Sequence, residues 1–169
     1  MTRWRSVALA AVVAAGVLAI GADGGLVQQG VRLTPNDASG ANIGFGGSVT
    51  LSADGNTALV GGAANNNSDG AAWIFTRSGS TWTQQGGKLP AIGATGTAQI
   101  GISVALSADG NTALVGGVTD SGGRGAVWVF TRSGGVWTQQ GSKLIASDES
   151  ANFRASMSHA SSVSWARSR

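Results

Sequence analysis

The sequence predicts an all-β fold built from two tandem copies of one unit, and three observations predict it. The segment 48–62 recurs at 103–117, 55 residues further on, with the single change of Thr50 to Ala105. Within each copy the apolar residues alternate with a period of two, which is typical of half-buried strands. The composition, with 28 glycines and 11% charged residues, suits closely spaced strands and turns better than surface helices, which need a charged face.

Each copy divides into four strands joined by short turns. In the first copy the predicted strands are 49–51, 57–60, 71–76 and 81–89. Asp54 and Gly55 supply the turn chemistry, including positive φ, that a tight hairpin needs. The third strand is apolar on both faces, so we expect it to be buried on both. The fourth is polar enough for an outer strand, and the unit is therefore predicted to be an antiparallel meander.

Four strands per unit, in tandem, are typical of the blades of a β-propeller. The segment 27–33 matches the end of the fourth strand before any first strand has appeared, and a ring can use such a leading outer strand to complete its last blade. We therefore predict a leading outer strand at 23–33, blade 1 at 34–89 and blade 2 at 90–144. Because complete rings need about four to eight blades, these two form a partial propeller.

The remaining residues, 145–169, are predicted to be an incomplete third repeat with an irregular tail. The third copy begins correctly at 143–148, but 154–169 contain no Asp-Gly turn, no Val-Gly-Gly and no alternation. This pattern favours truncation of a longer repeat protein over a designed tail. We expect further blades or self-association to cover the open edges of the sheets.

Residues 1–22 have the features of a signal peptide. Arg3 and Arg5 precede a run of small and apolar residues, and Ala19-Ile20-Gly21 places small residues at the spacing that a signal peptidase requires. We predict a signal helix that is cleaved, and hence an extracellular or cell-surface protein with no membrane span after cleavage. An uncleaved anchor helix is the alternative, because the run approaches the length that spans a bilayer.

The charge distribution and the residue inventory exclude several classes of function. The net charge of +3 comes from the two ends of the chain, since 23–150 contains six basic residues and all eight acidic ones; we therefore expect no nucleic-acid binding. The chain has no cysteine, which excludes disulfides and thiol nucleophiles. The one histidine, His159, lies in the irregular tail. The serines and aspartates elsewhere in the sequence are not accompanied by a general base that would activate a nucleophile. We predict a protein that is not an enzyme; a fragment of a propeller-scaffold enzyme is the weaker alternative.

Four motifs of the sequence are similar to those of the bacterial FG-GAP repeat proteins, distant relatives of the integrin α-subunit propeller. The motifs are Gly44-Phe45-Gly46, Ala58-Leu59-Val60-Gly61-Gly62, Gly70-Ala71-Ala72-Trp73-Ile74-Phe75 and Trp82-Thr83-Gln84-Gln85-Gly86. The resemblance covers 27–153 and implies a propeller fold, export and placement at the cell surface. Calcium-binding members carry several carboxylates in the hairpin between the first two strands, whereas this chain has only Asp54 and, in the second copy, Asp109. One carboxylate cannot provide the six to eight oxygens that calcium takes.

A second loop offers a weak metal candidate, formed by Asn65, Asn67 and Asp69. Their alternating oxygens fit a calcium loop, but the loop has one formal charge and no downstream glutamate. The equivalent loop of the second copy has Arg124 where the third ligand would lie. We favour an ordinary solvated loop and expect no cofactor, with calcium left as the alternative.

The repeated tryptophans and the variable loops complete the functional prediction. Trp73 and Trp82 recur as Trp128 and Trp137, which predicts a role in the blade core or between blades, with sugar or peptide binding as the alternative. The binding surface is predicted to be the loops in which the two copies differ: 34–43, 63–70, 90–98 and 118–125. We therefore expect a non-catalytic module for interaction or adhesion, with a protein or glycan ligand. A truncated gene product without independent function is the alternative.

Overall fold

The computed structural model describes residues 12–13, 16–20 and 26–145, and in these ranges the chain forms antiparallel sheets with short connections. The N-terminal sheet contains β1 (Val12–Val13), β2 (Gly16–Ile20) and β3 (Leu26–Gln29). Two four-stranded sheets follow, one in residues 34–89, which we call repeat 1, and one in residues 90–144, which we call repeat 2. The all-β class is confirmed for the described residues.

The two four-stranded sheets have the same strand order and start their strands at equivalent positions. Their strands are β4 (Phe45–Leu51), β5 (Thr57–Gly62), β6 (Ala71–Ser78) and β7 (Thr81–Gln84), then β8 (Ile100–Leu106), β9 (Thr112–Gly117), β10 (Ala126–Ser133) and β11 (Val136–Gln139). Each strand pairs only with its sequence neighbours in the sheet. The predicted meander is therefore confirmed in both repeats.

The fourth strand is shorter than predicted. We expected it to run over 81–89, but β7 ends at Gln84 because Gly86 adopts a positive φ of 73° and turns the backbone out of the regular ladder. The amides of Gln85 and Leu89 still donate to the carbonyls of Ile74 and Ala72. The predicted segment therefore stays beside β6 as an interrupted strand.

The connections carry the turn chemistry that the sequence predicts. In the first hairpin Asp54 Oδ1 accepts hydrogen bonds from Ser52 Oγ and from the Asn56 amide, and Gly55 has a φ of 69°. The bond from Ser52, followed by that from the Asn56 amide, holds the pKa of Asp54 below its ordinary value. Asp109 makes the same pair of bonds in the second hairpin, so these carboxylates stabilise turns.

Between the second and third strands of each sheet lies a single tight turn rather than a regular helix. The turns are α1 (Asn65–Ser68) and α2 (Asp120–Gly123). Each contains three consecutive residues with positive φ, at 66–68 and 121–123, which interrupt the helical geometry. No helix in the described ranges is long and apolar enough to cross a membrane.

The N-terminal prediction has a mixed outcome. Most of the predicted signal helix lies outside the described residues, but β1 and β2 are strands where that stretch is described. A short apolar run fits either conformation, and here the hairpin partner β3 selects the strand. The leading outer strand at 23–33 is a strand over β3, although it pairs with β2 and not with a later sheet. Beyond Ile145, the predicted third repeat lies outside the described residues.

Alternation gives each sheet of the repeats two distinct faces. The aliphatic face carries Leu59, Ala72 and Ile74 in repeat 1 and Leu114, Val127 and Val129 in repeat 2. The tryptophan face carries Val60, Trp73 and Phe75 in repeat 1 and Val115, Trp128 and Phe130 in repeat 2. Both faces of β6 are buried, which confirms that prediction for the third strand of repeat 1.

The main core lies between the repeats. Leu59 and Ile74, on the aliphatic face of repeat 1, share one cluster with Val115, Trp128 and Phe130, on the tryptophan face of repeat 2. A second cluster covers the tryptophan face of repeat 1, where the ring of Phe45 packs edge-on against Trp73 and Phe75 at centroid distances of 5.6 and 5.9 Å. The two sheets are thus stacked face to face.

Glycines permit close backbone contact between the stacked sheets. A Cβ atom on Gly61 would lie 2.0 Å from the carbonyl oxygen of Gly101, and one on Gly101 would lie 2.2 Å from the carbonyl oxygen of Ala71. Gly70 forms a parallel bridge with Ile100, where a Cβ atom would lie 2.2 Å from backbone atoms. No side chain larger than hydrogen fits at these positions without separating the sheets.

We predict that Gly61→Ala strongly destabilises the chain. The added methyl group would clash with the backbone of β8, and we expect a loss of about 3 kcal/mol or more in the free energy of unfolding, measured by urea denaturation. The control is Gly79→Ala, at a turn with a φ of 60° and no atom within 4 Å of the new Cβ. Strain there costs about 1 to 2 kcal/mol. Equal losses in the two variants would contradict the proposed role of the glycine contact.

Candidate interaction surface

The four variable loops leave the stacked sheets at the same end of the strands. The register aligns Phe45, Gly62 and Ala71 across repeat 1, so the loop before β4 and the loop between β5 and β6 leave the sheet on the same side. Ile100, Gly117 and Ala126 are aligned in the same way in repeat 2. We call the surface formed by 34–43, 63–70, 90–98 and 118–125 the loop edge. The Asp-Gly hairpins lie at the opposite edge.

Hydrogen bonds tie these loops together in pairs. In repeat 1 the amide of Ser39 donates to Asn65 Oδ1 at 2.7 Å, and the amide of Asn66 donates back to the Ser39 carbonyl at 2.8 Å. In repeat 2 the amide of Thr95 donates to Asp120 Oδ2 at 2.8 Å. The loop edge is therefore a set of loops fixed to one another and to the sheets, which favours a preformed binding surface.

A groove opens at the start of repeat 1. It has a volume of about 380 Å³ and is lined by residues of 32–35 and 41–45. This volume lies within the range of small-ligand sites. Leu33 and Phe45 provide apolar walls, and Arg32, Thr34 and Asn42 provide polar groups. The groove can therefore accept a chemically mixed group, such as a side chain or a sugar ring.

Asp37 fastens the first variable loop to the sheet of repeat 1. Its Oδ1 accepts hydrogen bonds from Trp73 Nε1 at 2.8 Å and Gln84 Nε2 at 3.1 Å, and its Oδ2 accepts one from the Lys88 amide at 2.7 Å. Burial raises the pKa of this carboxyl, but the three hydrogen bonds together lower it more, so the pKa lies below its ordinary value. The ionised carboxylate is thus part of the folded structure.

Asp120 of repeat 2 is a buried carboxylate that forms an ion pair with Lys143, whose side chain is 12% exposed. Its Oδ1 lies 2.5 Å from Lys143 Nζ and accepts a bond from Ser121 Oγ at 2.6 Å. Burial alone would raise the pKa of Asp120. The hydrogen bonds from Lys143, Ser121 and Thr95 and the lysine charge outweigh this effect, so the pKa lies below its ordinary value. In repeat 1 the equivalent buried residue is the neutral Asn65.

Sequence reasoning did not single out Asp37 or Asp120 for these roles. The sequence does contain a signal for Asp37. A basic residue, a leucine and an aspartate occur with the same spacing at Arg32, Leu33 and Asp37 and at Lys143, Leu144 and Asp148. For Asp120 the signal is the acidic residue at a position where repeat 1 has an amide. The ion pair joins residues 23 apart in the sequence, so only the fold identifies the partner.

The predicted metal ligands are engaged with different partners. Asn65 is buried with its Oδ1 bonded to the Ser39 amide, Asn67 is exposed, and Asp69 Oδ2 accepts a bond from Asn66 Nδ2 at 2.6 Å. Among the residues that the structure describes, no group of three or more His, Cys, Asp or Glu residues could hold a metal ion. That this is an ordinary loop stays a prediction, with calcium binding as its alternative.

The tryptophans occupy packing positions, as predicted. Trp73 and Trp128 are fully buried in the two cores. Trp82 and Trp137 are partly buried on the outer strands, where the guanidinium carbons of Arg77 and Arg132 lie 5.6 and 5.4 Å from the ring centroids.

The outer tryptophans differ in the bond made by the indole nitrogen. Trp137 Nε1 donates to Gln85 Oε1 of repeat 1 at 3.0 Å, so it belongs to the contact between the repeats. The indole nitrogen of Trp82 is buried with no hydrogen-bond partner among the described residues.

No protein-family model matches the sequence, and no curated protein matches it. The similarity to FG-GAP repeats therefore stays a resemblance carried by the sequence motifs alone.

We predict that Asp120→Asn lowers stability at pH 7 and flattens its dependence on pH. The variant loses the charge attraction of Lys143, which should cost about 1 to 3 kcal/mol. In the wild type the pKa of folded Asp120 lies below the unfolded value of about 3.9, so the stabilisation is present above the unfolded pKa and is lost as the pH falls through the folded pKa. An amide does not titrate, so the variant should lose less stability over this range.

The measurement is the urea midpoint between pH 7 and pH 3. Ser80→Ala, at an exposed turn on the opposite edge, is the control and should follow the wild-type curve. A variant curve parallel to the wild type would show that Asp120 does not couple protonation to folding.

Proposed function

We propose that this chain is a two-blade section of an exported β-propeller-type repeat protein, similar to the bacterial FG-GAP proteins, that acts by binding rather than by catalysis. The observation that carries the proposal is the stacking of the aliphatic face of repeat 1 on the tryptophan face of repeat 2. Propeller blades stack in this manner, each burying one face against its neighbour. The four strands of repeat 2 each begin 55 residues after their equivalents in repeat 1, which supports a single repeated structural unit.

The loop edge is the proposed binding surface. Repeats of this kind keep their strands similar because each must pack against the next, whereas the loops are free to change with the ligand. The two copies follow this rule, since the segments 48–62 and 103–117 differ at one position, while the aligned loops share only Pro35 with Pro90 and Gly70 with Gly125. The proposed site of action is outside the cell or on its surface, and the proposed ligand is a protein or a glycan.

The chemistry of the loop edge suits hydrogen bonding. Exposed amide and hydroxyl side chains, including those of Asn42, Asn66, Asn67 and Thr97, lie on loops that are tied to rigid strands. Such groups bind sugar hydroxyls or peptide backbone without large changes of the protein. The groove beside Phe45 adds an apolar contact next to them. The loop edge therefore combines orientation by hydrogen bonds with one site for an apolar group.

Export is tested with the full chain fused to a C-terminal alkaline phosphatase, which is active only outside the bacterial cytoplasm. Activity that depends on Arg3 and Arg5 is expected, because the charged start of a signal peptide directs its insertion. An inactive fusion that accumulates inside the cell would contradict the proposed location.

We predict that binding depends on the loop edge and not on the opposite edge, where the Asp-Gly hairpins lie. The full chain is screened against immobilised glycans and extracellular proteins, and its strongest binder is measured with a variant carrying Asn42→Ala and Thr97→Ala. Loss of two hydrogen bonds at about 1 kcal/mol each should weaken binding by roughly tenfold or more. The control carries Ser80→Ala and Thr81→Ala on the opposite edge and should bind like the wild type. Equal weakening by both variants would place the ligand elsewhere.

A further inference from the structure

The groove beside Phe45 contains a cation without a counter-charge. Arg32 lines the groove and is exposed, and its guanidinium makes no hydrogen bond or ion pair in the part of the chain that the structure describes. None of the residues that line the groove is acidic. The carboxylate of nearby Asp37 is occupied by its bonds to Trp73, Gln84 and the Lys88 amide. Since a guanidinium binds a carboxylate through two parallel hydrogen bonds, the groove favours a ligand that carries one.

The apolar part of the groove is held in place by the core of repeat 1. Leu33 and Phe45 pack against the cluster on the tryptophan face, yet both stay half-exposed. The ring of Phe45 is fixed edge-on by Trp73 and Phe75. Just before Phe45, the carbonyl of Gly44 accepts a hydrogen bond from the Gly47 amide at 3.1 Å. The apolar wall is therefore formed before a ligand arrives, which lowers the cost of binding.

Repeat 2 is closed at the equivalent position. Leu89 and Ile100 correspond to Leu33 and Phe45, and both are buried in the core between the repeats. In repeat 1 the preceding element is the N-terminal sheet, and the groove is open. The two repeats have the same strand order, so the groove is a local feature of repeat 1 and not a general property of the sheet.

We propose that this groove binds the carboxy-terminal residue of a peptide, with the terminal carboxylate on Arg32 and an apolar side chain against Leu33 and Phe45. The inference rests on the proposed function, because it assigns a class of ligand to one site at the loop edge. Thr34 and Asn42 also line the groove with exposed side chains that have no partner among the described residues. They provide hydrogen bonds for the backbone of the last peptide unit.

A carboxy-terminal residue fits this lining better than an internal acidic residue or an acidic sugar. It is the one position of a peptide at which a carboxylate and an apolar side chain leave the same carbon atom. An internal aspartate or glutamate has its carboxylate at the tip of the side chain and no apolar group beside it. A sugar acid has hydroxyl groups around its ring, and burying them against Leu33, Ile43 and Phe45 would leave them without partners.

The test measures binding of an amino-terminally labelled hexapeptide, Gly-Ser-Gly-Ser-Gly-Leu, to the full chain by fluorescence anisotropy. The free acid should bind at least about tenfold more tightly than the carboxy-terminal amide, because the amide loses the charge-assisted hydrogen bonds to Arg32. Replacing the last leucine by glycine should also weaken binding about tenfold, because the contact with Phe45 is lost. Equal affinities of the acid and the amide would overturn the proposal.

Arg32→Gln identifies the partner of the carboxylate. The guanidinium has no bond to lose within the described residues, so the variant should melt at the wild-type temperature. It should bind the acid about tenfold more weakly and no longer distinguish it from the amide. Lys88→Gln removes the same charge from an exposed residue that does not line the groove, and it should keep the wild-type preference. If Arg32→Gln keeps the preference, or if Lys88→Gln abolishes it, the carboxylate does not lie on Arg32 and the proposal is wrong.

Two further measurements test the other occupants. An oligogalacturonate that displaces the labelled peptide more strongly than the unlabelled peptide does would assign the groove to an acidic glycan. A dimer at micromolar concentration that Arg32→Gln dissociates would assign it to a second copy of the chain. Either result would overturn the proposal, which expects weak displacement and a monomer.

Failure of the proposed function gives a different result. If the variant with Asn42→Ala and Thr97→Ala binds the ligand from the screen as its control does, the loop edge is not the binding surface. If that variant loses the ligand while the acid and the amide of the hexapeptide bind alike, the loop edge remains the binding surface and only the carboxylate site is refuted.

Discussion

The close contact of β8 with glycines of repeat 1 is the constraint on which the rest of the structure depends. Gly61, Gly70 and Gly101 bring two backbones together at distances that a Cβ atom would prevent. This fixes where the first strand of repeat 2 lies on the preceding sheet. The larger side chains then fill the space on either side, with Leu59 and Ile74 meeting Trp128 and Phe130. Small residues at the closest point and aromatic residues around it make the stacking specific.

Polar contacts at the outer strands complement the glycine contact. Gln85, just after β7, accepts hydrogen bonds from Arg132 Nη1 at 3.2 Å and Trp137 Nε1 at 3.0 Å, so one side chain of repeat 1 orients two of repeat 2. Arg132 also donates to Asn111 in its own hairpin. The glycines thus fix β8 against β5 and the start of β6, and Gln85 fixes the sheets near their last strands. Two separate contacts prevent the sheets from rotating relative to each other.

The sequence predicts local features of this structure better than distant contacts. The meander, the hairpins at Asp54 and Asp109 and the buried third strand follow from periodicity and turn chemistry, which involve residues near one another. The early end of β7 depends on the φ of Gly86, and the pattern of polar residues did not reveal it. The strand conformation of β2 depends on pairing with β3, since the apolar run alone fits a helix equally well. The roles of Asp37 and Asp120 depend on partners brought together by the fold.

The comparison of Asn65 with Asp120 shows how the loop edge can vary while the sheets stay the same. Both side chains are buried and both accept a backbone amide of the preceding loop. The carboxylate of Asp120 carries a charge that needs compensation in the interior, and Lys143 provides it with a side chain that is 12% exposed. A lysine also occurs at the equivalent position 88 of repeat 1, so repeat 1 already has a cation to compensate a carboxylate at position 65. A loop residue can therefore change from amide to carboxylate without a second substitution, and the proposed binding surface can diversify at little cost to the stacked sheets beneath it.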